Sequence, residues 1–125
     1  MINKKIYIKV IKIMIVKTED YTINAQQLNH VLISGKMRLP SPLSYEKPFS
    51  IIKNSLEEAS DILTIDLKDL EYLNSSGLTS FARIIIEARA NNKPLKIIIN
   101  KSIPWQAKTL LSLNKLWDQL SFELD

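Results

Sequence analysis

The residues best placed for chemistry lie between Asp66 and Leu78, in the stretch DLKDLEYLNSSGL. It reads as the end of a buried strand, a short acidic loop, and then Asn74, Ser75, Ser76 and Gly77 where a helix begins. A serine in the first turn of a helix is well placed to carry a phosphate. The first backbone N–H groups there have no helical partner, and the helix end bears a partial positive charge. Asn74 can cap the helix through its side-chain oxygen, and Gly77 allows close approach of the backbone. The same residue types also describe an ordinary capped helix start, and composition alone leaves both descriptions open.

Little else in the chain offers catalytic groups. There is no cysteine, which excludes disulfides, thiolate metal sites and thiol nucleophiles. With His30 as the single histidine, no zinc site is expected, and with only Gly35 and Gly77 no glycine-rich phosphate loop can be written. His30 reads as a packing or hydrogen-bonding residue. Asp66, Asp69 and Glu71 read as solvated loop acids, and Trp105 and Trp117 as packing groups, with Trp105 beside Pro104 a candidate partner contact. These absences point to a switch or binding module without catalysis, metal or cofactor.

At 125 residues the chain is long enough for one domain with a core of its own. Its net charge of +4 is local. Residues 1–17 carry Lys4, Lys5, Lys9, Lys12 and Lys17 and no acid, and the remainder holds twelve basic against thirteen acidic residues, a balance of −1. That is no basic domain surface, so no nucleic-acid partner is expected. Lysines interrupt the apolar residues of this segment throughout, so it forms neither a membrane span nor a secretory signal. It reads as a lysine-guarded edge strand. Alternatively residues 1–13 are a mis-annotated start, with translation beginning at Met14 and a single domain over 14–125.

From there the pattern alternates. Ile13–Lys17 opens a strand, Tyr21–Asn24 is turn or strand, and His30–Met37 is a strand with Val31 and Ile33 on one face. After the prolines at 40 and 42, Phe49, Ile52, Leu56 and Ala59 fall at helical spacing over 46–59. Residues 62–67 form a nearly continuous apolar strand, and 76–90 a second helix whose core face is Leu78, Phe81, Ala82, Ile85 and Ala88, widened by Ile84 and Ile86. Leu95–Asn100 is a buried strand, Pro104 opens a third helix, and Leu120–Leu124 is a last short strand. Strands alternating with helices imply an α/β fold: a mostly parallel sheet of four to five strands with about three helices mainly on one face.

In this order of elements, the run from Ile62 to Leu78 resembles the signature of the STAS domain of bacterial anti-sigma factor antagonists: an apolar strand, Asp-Leu, an aromatic-containing loop, then Asp-Ser-Ser/Thr-Gly-Leu. His30–Leu39 is similar to the strand ending in Gly-Glu-Leu-Asp, and Ser102–Trp117 to the closing helix. The resemblance covers residues 14–125. It implies a cytoplasmic bacterial signalling protein that works by partner switching. Its partners would be an anti-sigma factor with serine protein kinase activity, which phosphorylates Ser75, and a PP2C-type phosphatase that reverses this. Ser76 matches the neighbouring Ser/Thr, and Asn74, Ser75, Ser76, Gly77 and Leu78 form the expected partner surface. The competing expectation is a STAS-like scaffold that binds constitutively. Two departures bear on the choice. Asn74 replaces the usual Asp, and Gly35-Lys36-Met37-Arg38 replaces Gly-Glu-Leu-Asp, so two acids have become two bases. Lys36 and Arg38 then either select a partner of different charge pattern or neutralise a phosphate on Ser75 within the molecule.

Overall fold

The computed structural model describes residues 14–125, so the readings of the segment before Met14 lie outside the described residues. The described residues open with three antiparallel-linked strands, β1 (Ile15–Lys17), β2 (Tyr21–Asn24) and β3 (His30–Met37). A 3₁₀ turn at Pro42–Tyr45 leads into helix α1 (Glu46–Glu58). Strands β4 (Leu63–Asp66) and β5 (Leu70–Leu73) follow, then helix α2 (Ser75–Ala90), β6 (Leu95–Ile99), a helical segment at 106–116, and β7 (Leu120–Leu124).

The strands form one sheet in the order β1-β2-β3-β4-β6-β7, with β5 also paired to β3. The pairs β3–β4, β4–β6, β6–β7 and β3–β5 are parallel, and β1–β2 and β2–β3 are antiparallel. The expected α/β architecture is therefore present, but the sheet is mixed and has seven strands among the described residues, not four to five.

The extra strand explains itself along β3. Residues 30–32 of β3 pair with β4, and residues 35–37 pair with β5. β4 and β5 thus run in succession along one neighbour, separated by a tight turn in which the Leu70 N–H donates to the Leu67 carbonyl at 3.0 Å. The stretch expected to be an acidic loop is half strand. Gly35 sits where the register shifts and has φ +92°. A Cβ there would run into the Asp20 carbonyl and lie 2.8 Å from Tyr21 Cα, so both conformation and space demand glycine.

Alternation along the strands gathers Val31, Ile33, Leu63, Ile65, Leu95, Ile97 and Ile99 on one face. These join Phe49, Ile52 and Leu56 of α1 and Phe81, Ile84, Ile85 and Ala88 of α2 in one core. The other face carries Thr22, Ser34, Thr64, Lys96, Ser121 and Glu123, with Lys96 and Glu123 ion-paired at 2.7 Å. Ile86 does not widen the buried face of α2; it is 52% exposed. The expected third helix is not regular α-helix. It is a π turn at Gln106–Leu110 followed by a 3₁₀ stretch at Leu111–Leu116.

Candidate functional site: the first turn of α2

The site is built at the junction of β5 and α2. The Asn74 N–H completes the β3–β5 ladder by donating to the Met37 carbonyl at 3.2 Å, and the chain then turns into the helix. Asn74 caps that helix, its Oδ1 accepting from the Gly77 N–H at 3.0 Å. The same oxygen accepts from the Tyr45 hydroxyl at 2.6 Å, and Nδ2 donates to the Leu39 carbonyl at 2.8 Å. The Leu39 N–H in turn donates to the Tyr45 hydroxyl at 3.3 Å. Farther along, the Ser80 hydroxyl donates to the Pro42 carbonyl at 3.2 Å. The loop 39–45 is thereby tied to the start of α2. Burial raises the pKa of the fully buried Tyr45 phenol, with the Leu39 N–H pulling the other way.

This network gives a local reason for Asn74. An aspartate could cap the helix and accept from Tyr45, but it has no N–H for the Leu39 carbonyl and would set a charged oxygen against it. Gly77 is also explained by packing. A Cβ on it would run into Leu73 Cδ1 and come within 2.8 Å of the Tyr45 ring and hydroxyl. The close approach expected of Gly77 is an approach of side chains to the helix backbone.

Ser75 is exposed, Ser76 and Leu78 are half-buried, and Gly77 is buried. The Leu78 N–H donates to the Asn74 carbonyl at 3.0 Å. With Gly77 taken by the cap, the N–H groups of Ser75 and Ser76 have no protein acceptor among the described residues.

Beside the turn lies a groove of about 300 Å³, lined by Tyr72, Leu73, Asn74, Ser75, Leu78, Trp105 and Thr109. Trp105 is held there by its Nε1–H, which donates to the Glu71 carbonyl at 2.7 Å. Its neighbour Gln106 has no exposed surface, and its Nε2 donates to the Leu67 and Leu70 carbonyls at 2.7 Å each. Its Oε1 accepts from the Asn100 N–H at 2.7 Å. Lys36 stands opposite Tyr72 in the ladder, and the Arg38 guanidinium lies 5.2 Å from the Tyr72 ring centroid. Lys36 and Arg38 are exposed, and neither is ion-paired with an acid among the described residues. The seven candidate residues thus occupy one neighbourhood, in which Tyr72 links the basic pair to the Ser75 turn.

Other candidates fall elsewhere. Asp66 is not a solvated loop acid. It is buried at the end of β4, accepts from the Lys68 N–H at 3.0 Å and pairs with Lys68 Nζ at 3.5 Å. His30 is half-buried at the start of β3. No group of three or more His, Asp or Glu residues that could hold a metal ion occurs among the described residues. No helix there is long and apolar enough to cross a membrane. Sequence reasoning passed over Tyr45, Tyr72 and Gln106. The available signal for Tyr45 was an aromatic directly after a proline-rich turn. Gln106 gave none, since its type is ordinary on a helix surface.

No family model and no curated protein matches the chain. Solved structures do. The chain is similar to a chain in the crystal structure of the diguanylate cyclase SiaD in complex with its activator SiaC from Pseudomonas aeruginosa. That match has TM-score 0.64 and 13% identity, covering 89% of this chain and 98% of that one. It is also similar to SiaC of Pseudomonas aeruginosa, with TM-score 0.59 and 16% identity over 90% and 93% of the two chains. The crystal structure of apo-SiaC from the same organism gives TM-score 0.55 and 17% identity over 90% and 97%. At these identities the likeness is one of fold: the mixed sheet and its covering helices are shared with those structures.

Proposed function

We propose that this chain is a regulatory protein-interaction module of a bacterial partner switch, without catalysis of its own, controlled by reversible phosphorylation of Ser75. The observation that carries this is the exposed Ser75 at the first turn of α2, with free N–H groups beside it and an apolar groove at its side. A phosphate there adds about −1.5 to −2 charges at neutral pH. The free protein tolerates it, and a partner packed on the same groove does not. The STAS resemblance supplies the rest of the reading: an anti-sigma serine kinase as the enzyme that binds and modifies this turn, and a PP2C-type phosphatase that resets it. The fold shared with an activator of a diguanylate cyclase adds a signalling enzyme to the class of downstream targets.

The test is phosphopeptide mass spectrometry on the protein from its own cells, in growth and in stress. Trypsin cuts after Lys68 and Arg83, leaving Ser75, Ser76, Thr79 and Ser80 on one peptide. Ser80 is buried and bonded to Pro42, so fragmentation needs to separate the other three. Phosphate on Ser75 that changes with condition is the expected result. A well-detected peptide never phosphorylated at Ser75, with binding intact in Ser75→Ala, would establish the constitutive scaffold instead.

A further inference from the structure

The groove beside Ser75 is already formed in the free protein. Trp105 is anchored to Glu71, and Gln106 behind it is pinned by three hydrogen bonds. Leu73 packs against Gly77, where no side chain intervenes. A partner therefore meets a rigid wall and is spared the cost of ordering it. At about 300 Å³ the groove has room for one or two bulky side chains, at the low end of what small-molecule sites offer. Its walls are apolar: Tyr72 is 42% exposed, and Leu73, Leu78 and Trp105 are half-buried.

The rim carries two cations. Lys36, Arg38 and Tyr72 share a face of the β3–β5 ladder, and Glu71, exposed and without a ladder partner where the register shifts, forms no ion pair with either base. Stacked on Tyr72, the Arg38 guanidinium is held in one place and keeps its N–H donors free for a planar acceptor. Two unpaired cations beside an apolar slot complement a carboxylate beside an apolar side chain. They are too few for a nucleic-acid backbone, and the chain beyond residue 17 is slightly acidic.

We infer that this groove receives a protein segment presenting one bulky apolar side chain to Tyr72, Leu78 and Trp105, and an aspartate or glutamate to Lys36 and Arg38. The inference rests on the interaction-module reading and extends it to the partner's chemistry. It also gives the switch a sign. A phosphate on Ser75 stands at the rim of the same groove, repels the partner's carboxylate and competes with it for Arg38, so phosphorylation weakens binding.

The probe is a phage-displayed library of random dodecapeptides, panned on the full chain with unmodified Ser75. The expected consensus sets Leu, Phe, Met or Trp within a turn or so of Asp or Glu. A synthetic consensus peptide should lose about tenfold or more in affinity on Lys36→Glu/Arg38→Glu, and a peptide with Lys in place of the acid should regain it. That regain cannot come from misfolding. Thr109→Arg, which fills the groove, should abolish binding while leaving the circular dichroism unchanged. No binders, a consensus without an acid, selective binding of RNA, or indifference to the charge swap each overturns the inference. Phosphoserine at position 75 tests the other reading separately. If it leaves peptide affinity unchanged while the charge swap works, the phosphorylation switch falls and the groove assignment stands.

Discussion

Both polar atoms of the Asn74 side chain face inward, to Gly77, Tyr45 and Leu39. Asn74→Asp should therefore destabilise the protein by about 1–2 kcal/mol despite aspartate's merit as a cap, because the half-buried Leu39 carbonyl loses its donor and faces a charged oxygen. Asn74→Ala should cost about 2–4 kcal/mol, since the cap and the Tyr45 acceptor go as well. Urea unfolding ranks the three proteins, and an aspartate variant as stable as the parent refutes the account. Tyr45 adds a pH signature. Its pKa is raised in the folded state, first by burial, so the native state holds that proton more tightly than the unfolded chain. The stability this gives is complete below the ordinary value of 10.0 and is lost as pH climbs through the raised folded value. Tyr45→Phe should lower stability at pH 7 and flatten the alkaline loss. Part of that loss should remain, because the pKa of Tyr21 is raised as well, first by burial and then by Asp20. At this scale the sequence placed Ser75 and Ser76 at a helix start and Asn74 as its cap. It did not reveal Tyr45, 29 residues away, because the bond between them exists only once the loop is folded onto α2.

Regular elements were legible where one periodicity held over many residues. β3 appears over the predicted 30–37, α1 over 46–58 and α2 over 75–90. β5 was not legible. Four residues with one apolar residue at each end offer neither a long run nor a clear alternation, and their strand state comes from pairing with the far half of β3. The closing segment also departs from a plain helix, and Gln106 gives the reason. A π turn brings its amide to the Leu67 and Leu70 carbonyls and to the Asn100 N–H after β6, adding a second donor to the Leu67 carbonyl, which also accepts from the Leu70 N–H. Gln106→Leu should consequently destabilise by about 3 kcal/mol or more, although it adds an apolar residue to a buried position. The effect should spread to Trp105, seen as a red shift in its emission when the Glu71 bond loosens. A leucine variant of unchanged stability would show that these groups find water or other partners.

At the scale of the whole molecule, the α/β class and the order of the later elements followed from the alternation of strand and helix patterns. The strand count did not, because Tyr21–Asn24 reads equally as turn or strand and β5 is hidden in an apparent loop. That architecture also bears on how a switch would act. Ser75 is exposed and its hydroxyl enters no hydrogen bond on which the network of Asn74, Tyr45 and Leu39 depends. A phosphate on it should leave the fold intact and interact favourably with the positive end of α2, by about 0.3–1 kcal/mol at low salt. For a domain of this size that is a rise in Tm of roughly 1–5 °C, shrinking as salt screens the charge. Partner affinity should move the opposite way. Phosphorylation would then act as a steric and electrostatic block at a surface, with no rearrangement of the core. Thermal unfolding of the protein with and without phosphoserine at position 75, at low and high salt, measures the first effect. Amide exchange in α2 and the 39–45 loop reports any rearrangement. A lowered Tm with faster exchange in that loop would mean that phosphorylation works by breaking the Asn74–Tyr45 tie, and the switch would be conformational.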